Sequence, residues 1–167
     1  MRYVIALGSN QRGRAGSPRA MVAAALAGLG PVAASRIVET APVGPSHRRF
    51  ANAVAVIESR LDPPALLARL KAMERAAGRR SGRRWGARPL DLDIVLWSGG
   101  AFSAPGLTIP HPGFRERTFV LAPLAEVAPG WRDPLTGLSV RQLLARLTAP
   151  RRRPTSRPGS RQMVGGP

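Results

Sequence analysis

The sequence predicts an α+β fold: a ferredoxin-like β-α-β-β-α-β sheet with helices packed on it, plus a C-terminal hairpin and helix extension. Three observations carry that prediction. Apolar, β-branched runs of strand length alternate with segments whose apolar residues recur at helical spacing. Two of the helical segments open on the same signature, a cap residue followed by proline, at Ser17-Pro18 and Asp62-Pro63. The resulting order, strand-helix-strand-strand-helix-strand, is the split arrangement that puts both helices on one face of a single sheet. At 167 residues the chain is long enough for one domain with a proper core and too short for two.

Each element has its own warrant. Tyr3 to Leu7 is an apolar run ending in Gly8-Ser9-Asn10, a turn cluster, and reads as a buried strand. After Ser17-Pro18, the residues Met21, Val22, Ala25, Leu26 and Leu29 form one helix face, and Gly30-Pro31 ends it. Val32 to Thr40 returns to a strand, broken by Ala41-Pro42-Val43-Gly44-Pro45. Phe50 to Glu58 is a third strand. Leu66, Leu67, Leu70 and Met73 then make one face of a helix that runs to about Ala77 and stops at Gly78. An arginine-rich loop, 79 to 88, leads into a strand that starts at Asp91. Beyond it the sequence predicts a hairpin near Phe102 to Ile109, a loop carrying His111 and a short apolar stretch from Phe119 to Val127. The capping box Ser139-x-x-Gln142 opens a last helix with Leu143, Leu144 and Leu147. The domain is expected to span 1 to 149. Residues 150 to 167 carry five arginines and no acid and read as a disordered basic tail, with no internal repeat anywhere.

Composition narrows the function classes. The formal charge of +17 comes from 26 basic residues, all but Lys71 arginine, against nine acids. Such a field attracts polyanions of any kind, although the arginine skew, with so much Ala, Gly and Pro, is equally what genomic base composition produces. No cysteine is present, which excludes disulfides, thiolate metal sites and a Cys nucleophile. The N-terminus lacks a signal peptide's pattern and no apolar run approaches the roughly 20 residues of a membrane helix, so a cytoplasmic protein without a membrane partner is expected.

Chemistry concentrates in the stretch from Arg83 to Leu96. Asp91 and Asp93 are two apart in a strand and so share one face, while Leu92, Ile94 and Leu96 share the other. Two adjacent carboxylates repel unless a cation lies between them, and oxygen ligands on a rigid strand suit Mg²⁺, which takes one or two carboxylates and completes its shell with water and phosphates. Six arginines between Arg75 and Arg88 would face those phosphates. Arg79 and Arg88 bracket the loop and are best placed to hold phosphate oxygens bidentately. The alternative is two acids at a strand end facing solvent, but the run from Leu90 to Trp97 reads as a buried strand in which charges need partners.

Other candidates are weighed the same way. Trp85 could be a core residue, yet flanked by arginines and Gly86 in a loop it is better suited to stacking on a flat ligand. His111, between Pro110 and Pro112, is a structural loop residue or a well-fixed imidazole. Asn52, mid-strand among alanines and valines, is a satisfied structural amide or one that reads a ligand. Phe119 is a core residue or a ligand platform, Glu74 an exposed helix acid on its own showing, and His47 has no role.

Four motifs in this order resemble the 6-hydroxymethyl-7,8-dihydropterin pyrophosphokinase family of folate biosynthesis. They are Ala6-Leu7-Gly8-Ser9-Asn10; Glu39-Thr40-Ala41-Pro42-Val43-Gly44 with Phe50-Ala51-Asn52-Ala53-Val54; Arg84-Trp85-Gly86-Ala87-Arg88-Pro89-Leu90-Asp91-Leu92-Asp93-Ile94; and Thr108-Ile109-Pro110-His111-Pro112 through Arg117-Thr118-Phe119-Val120-Leu121. The likeness covers roughly residues 2 to 147. It implies transfer of the β,γ-diphosphoryl group of ATP, as co-substrate, to the hydroxymethyl of a reduced pterin with release of AMP. It also implies that Asp91 and Asp93 bind two Mg²⁺ ions and that Arg79, Arg88 and His111 contact phosphate oxygens as catalytic residues. Thr40, Val43, Phe50, Asn52, Trp85 and Phe119 would form the pterin pocket, with Asn52 reading the ring edge, Phe119 stacking on its face and Trp85 closing over it. Glu74, Leu107, Thr108 and Arg117 would fall on the ATP side.

The sequence departs from the family pattern in three places. Gln11-Arg12-Gly13-Arg14 replaces a common Gly-Asp-basic continuation, Gly106 stands where many members carry a basic residue, and the loop 79 to 84 is about one residue short. Arg117 or Arg115 would then supply the charge missing at Gly106. Small-molecule substrates, a monomer and no specific nucleic acid are expected. An RNA-recognition sheet would need stacking aromatics on its central strands, and the strand best placed for them carries carboxylates. A sugar-nucleotide transferase would be longer and would leave the pterin-pocket segments unexplained.

Overall fold

A computed structural model describes residues 1–40, 50–78 and 88–150 of the chain. Of Thr40 only the backbone is described. The elements are β1 (Arg2–Ser9), α1 (Pro18–Leu29), β2 (Ala33–Ala34), β3 (Val38–Thr40), β4 (Phe50–Glu58), α2 (Pro63–Ala76), β5 (Asp91–Trp97), β6 (Phe102–Ala104), β7 (Leu107–Ile109), a 3-10 turn (Phe114–Glu116), α3 (Thr118–Val127) and α4 (Val140–Thr148). Strand order is β2-β4-β1-β5, with β3 also on β4, and every pairing is antiparallel. This is the expected ferredoxin-like sheet with β1 at its centre, and β6 and β7 form the expected separate hairpin.

The helices start where the sequence puts their caps. Ser17 Oγ accepts from the Ala20 amide at 3.3 Å and Asp62 Oδ1 from the Ala65 amide at 2.9 Å, satisfying N–H groups that the first turn leaves unpaired. At α4 both arms of the Ser139/Gln142 capping box form. Side-chain alternation along β1 splits the core in two. Tyr3, Ile5 and Leu7 meet α1 and α2 through Met21, Val22, Leu66 and Leu70, whereas Val4, with Val54 and Val56 of β4, meets α3 and α4 through Leu121, Leu124 and Leu143. The first two helices therefore share one face, and the C-terminal extension covers the other.

Two local readings are corrected, and one segment to which the sequence assigned no element proves to be a helix. Val32 to Thr40 is not one strand: it pairs as β2 and β3 with Ser35 between them. The Ser35 hydroxyl accepts from the Val54 amide at 3.0 Å, taking the place of the backbone carbonyl a continuous ladder would use. The stretch from Phe119 to Val127 is helical despite Pro123. Burial of Val120, Leu121 and Leu124 against the sheet outweighs the backbone bond that Pro123 cannot donate. Leu96 does not share a face with Leu92 and Ile94. The β1–β5 register slips between Val4, opposite Leu96, and Ile5, opposite Ile94, so Val95 is the extra residue and Leu96 turns to the Val4 side.

Candidate active site

Because β1 lies between β4 and β5, its residues set what lies across the sheet. Gly8 is opposite Asn52 on one side and Asp91 on the other; two residues back, Ala6 is opposite Val54 and Asp93. Asn52, Asp91 and Asp93 thus stand on the face that α3 and α4 cover, in two cross-strand rows. Adjacent strands are about 4.8 Å apart, so Asn52 and Asp91 are separated by about 10 Å with only the bare backbone of Gly8 between them. A Cβ at Gly8 would lie 3.4 Å from Asn52 Oδ1. The sequence reading missed Gly8 as a site residue, since as a sequence it is only the start of a turn. Its signal is a glycine where the strand pattern calls for a side chain.

Phe50, half-buried, lies two residues before Asn52 on the same strand and pairs with Thr40. Asn52 itself is buried. Phe119, in the first turn of α3, is 40% exposed, which removes it from the core and leaves its ring free to meet a ligand. The Arg117 guanidinium lies 5.9 Å from that ring and packs over Gly113, where a Cβ would come within 3.0 Å of Arg117 Nε.

Asp91 and Asp93 are both partly exposed, which leaves their carboxylates within reach of a cation from solvent. Arg88 Nη1 donates to Asp91 Oδ2 at 2.9 Å. His111 Nε2 stands 3.9 Å from Asp93 Oδ2, and its Nδ1 accepts from the Gly113 amide at 3.2 Å, which fixes the ring with Nε2 toward Asp93. The His111 amide donates to the Val95 carbonyl at 3.0 Å, so the loop after the cis Ile109–Pro110 bond is tied to β5. Burial and then the neighbouring Asp91 charge push the Asp93 carboxyl above its ordinary value, with Glu74 adding to the push and His111 and Lys71 opposing it. A divalent cation would relieve that strain. Among the described residues no cluster of three or more His, Cys, Asp or Glu could hold a metal. The two carboxylates alone meet the needs of Mg²⁺ that completes its shell with water and phosphate.

Glu74 is not an exposed helix acid. It is buried, accepting from the Leu92 amide and from Lys71 Nζ, each at 2.8 Å. Leu107 is buried in the core cluster with Leu92 and Ile94, while its neighbour Thr108 is exposed. Two further features carry no signal in the sequence. Asn10 bonds to the Arg88 backbone, and Arg115 forms a two-point pair with fully buried Asp133, Nε to Oδ2 at 2.8 Å and Nη2 to Oδ1 at 2.7 Å. Val43, Arg79, Trp85 and the Thr40 side chain lie outside the described residues.

Comparisons with known proteins identify the family and the fold. The model of the 7,8-dihydro-6-hydroxymethylpterin-pyrophosphokinase family matches residues 4–129. A 2-amino-4-hydroxy-6-hydroxymethyldihydropteridine pyrophosphokinase of Pseudomonas aeruginosa is 39% identical over 151 residues, which cover 86% of this chain and 90% of that protein. One of the same name from Synechocystis is 42% identical over 101 residues, 60% of this chain and about half, 52%, of that one. In the crystal structure of Plasmodium falciparum HPPK-DHPS with pteroate, a similar fold is found with a TM-score of 0.68 at 13% identity. That match covers 87% of this chain and 44% of that much longer one. The chain belongs to the 7,8-dihydro-6-hydroxymethylpterin-pyrophosphokinase family, the pyrophosphokinases of folate biosynthesis.

Proposed function

We propose that the chain carries the family's reaction out with the residues of the Gly8 rows, moving the β,γ-diphosphoryl group of ATP to the hydroxymethyl of 6-hydroxymethyl-7,8-dihydropterin. The observation that supports this most directly is the row Asn52–Gly8–Asp91: an amide able to read a ring edge and a carboxylate able to hold a cation, with a glycine on the strand between theirs. The hydroxymethyl oxygen bonds to the β-phosphorus as the bond from that phosphorus to the α,β-bridging oxygen breaks. AMP leaves with the electron pair and the hydroxyl proton passes to solvent. Such a transfer asks the protein for alignment and charge neutralisation more than for covalent work.

In this reading Asn52 hydrogen-bonds the pterin edge, Phe119 stacks on its face, and Thr40, Val43, Phe50 and Trp85 complete the pocket. Arg88 and Arg79 neutralise the transferred phosphates, and His111 stabilises charge on the departing AMP side. Glu74, Leu107, Thr108 and Arg117 lie toward the nucleotide. Asp91 and Asp93 would hold two Mg²⁺ ions, which neutralise the phosphate oxygens when bound. The protein would act on small molecules, as a monomer in the cytoplasm and without a specific nucleic-acid partner. Among the described residues no helix is long and apolar enough to cross a membrane.

The direct test is product identity. Incubated with ATP, Mg²⁺ and the reduced hydroxymethylpterin, the protein should form AMP and the pterin diphosphate; ADP as the nucleotide product would overturn the proposal.

A further inference from the structure

We propose that Asn10 is a positioning residue for Arg88, fixing the start of the Arg88–Asp91 segment to the end of β1 so that the Arg88 guanidinium meets phosphate at the site. This rests on the proposed phosphate role of Arg88. Asn10 Oδ1 accepts from the Arg88 amide at 2.8 Å, and the Asn10 amide donates to the Arg88 carbonyl at 3.2 Å. The two bonds close a ring between a side chain and a backbone 78 residues away, so Asn10 is not simply bonding within its own turn, which is what an asparagine after a strand most often does. With its backbone held on both sides, Arg88 reaches Asp91 Oδ2 at 2.9 Å.

A second observation in the same loop points the same way. A Cβ at Gly13 would stand 2.9 Å from Pro89 Cβ and 2.7 Å from Met21 Cε, so the loop after β1 closes on the residue following Arg88 at a distance only glycine permits. Met21 can swing away, but Pro89 is fixed by its ring. Asn10 and Gly13 together form a seat for Arg88 and Pro89, and β1 leads directly from that seat to the Gly8 row.

The test is a double-mutant cycle on AMP formation with wild type, Asn10→Ala, Arg88→Ala and the double variant, alongside pterin affinity and hydrogen exchange at the Arg88 amide. Asn10→Ala should lower kcat about tenfold, the scale of one lost hydrogen bond. Pterin affinity should stay within about twofold, and Asn10→Asp, which keeps the acceptor, should restore most of the rate. In the Arg88→Ala background the same change should cost less than about twofold, because there is no guanidinium left to position. An equal loss in both backgrounds, or unchanged kcat in Asn10→Ala, would overturn the proposal. If Asn10→Ala does not fold, Gly13→Ala replaces it in the cycle with the same expectations. A wild type that forms no AMP defeats the functional reading alone; exchange at the Arg88 amide still decides whether Asn10 holds it, and unchanged protection in Asn10→Ala means that it does not.

Discussion

Glu74 Oε1 accepts a 2.8 Å hydrogen bond from the Leu92 backbone amide, joining α2 to the strand residue that lies between the two site aspartates. Among the described residues β5 ends the path of the main sheet, with β1 as its only neighbour there, and the Leu92 N–H, facing away from β1, is taken by a buried carboxylate. Lys71 Nζ, 2.8 Å away, balances the charge from the half-exposed side.

The pairing predicts a graded response. Glu74→Ala removes the acceptor from Leu92 and the partner from Lys71, and should cost about 2 kcal/mol by urea unfolding, the ion-pair part being discounted for the exposure of Lys71. Glu74→Gln keeps a carbonyl oxygen in place and should cost about half as much. Equal costs would mean that the bond to Leu92 does not hold the strand.

Gly8 gives a prediction about binding. Gly8→Val would place a branched side chain between Asn52 and Asp91, on the floor of the proposed pterin pocket, while suiting a strand by propensity. Pterin affinity, measured by calorimetry, should fall at least about tenfold, with the cooperative unfolding of the protein retained. Wild-type affinity in that variant would place the ring elsewhere.

Asp133 contributes to the acid limb of stability. Its burial pushes the carboxyl up, but the Arg115 and Thr136 side chains and the Leu135 amide donate to it and hold it below its ordinary value. A carboxyl lowered in the folded state contributes stability above its unfolded pKa, near 4, and loses that contribution as pH falls through its lower folded value. Asp133→Asn should therefore be less stable by about 3 kcal/mol at pH 7, since it leaves the Arg115 pair broken, and should lose less stability than wild type below about pH 4. Parallel stability curves for the two proteins across that range would contradict the assignment.

Much of this was legible in the residues because the signals were local. Alternation showed that Asp91 and Asp93 share a face, and cap-then-proline pairs placed both helix starts. The misread positions depended on partners far along the chain. Leu96 changes face because of a bulge against Val4, and Ser35 interrupts its strand only because the Val54 amide is opposite. Glu74 looks like any helix acid until Leu92 is beside it, and Asp133 pairs with a residue 18 positions away. Pairings across the sheet also put Gly8 between Asn52 and Asp91 in the candidate site, and a single strand's pattern does not contain them.

Asp93 ties the proposed cation site to stability. Its carboxyl is raised, first by burial and then by the Asp91 charge, so at neutral pH the ionised form costs the folded protein free energy, a cost that disappears as pH falls below the unfolded pKa. Asp93→Asn removes that cost, and in the presence of EDTA the variant should melt at or above the wild-type temperature. Added Mg²⁺ with a non-hydrolysable ATP analogue should raise the wild-type Tm, because a ligand that binds only the folded state stabilises it. The variant, with one of two carboxylates gone, should show a much smaller shift and almost no AMP formation while still binding the pterin. A variant that melts well below wild type in EDTA would mean that Asp93 is held for structure, and near-normal turnover would remove it from the cation site.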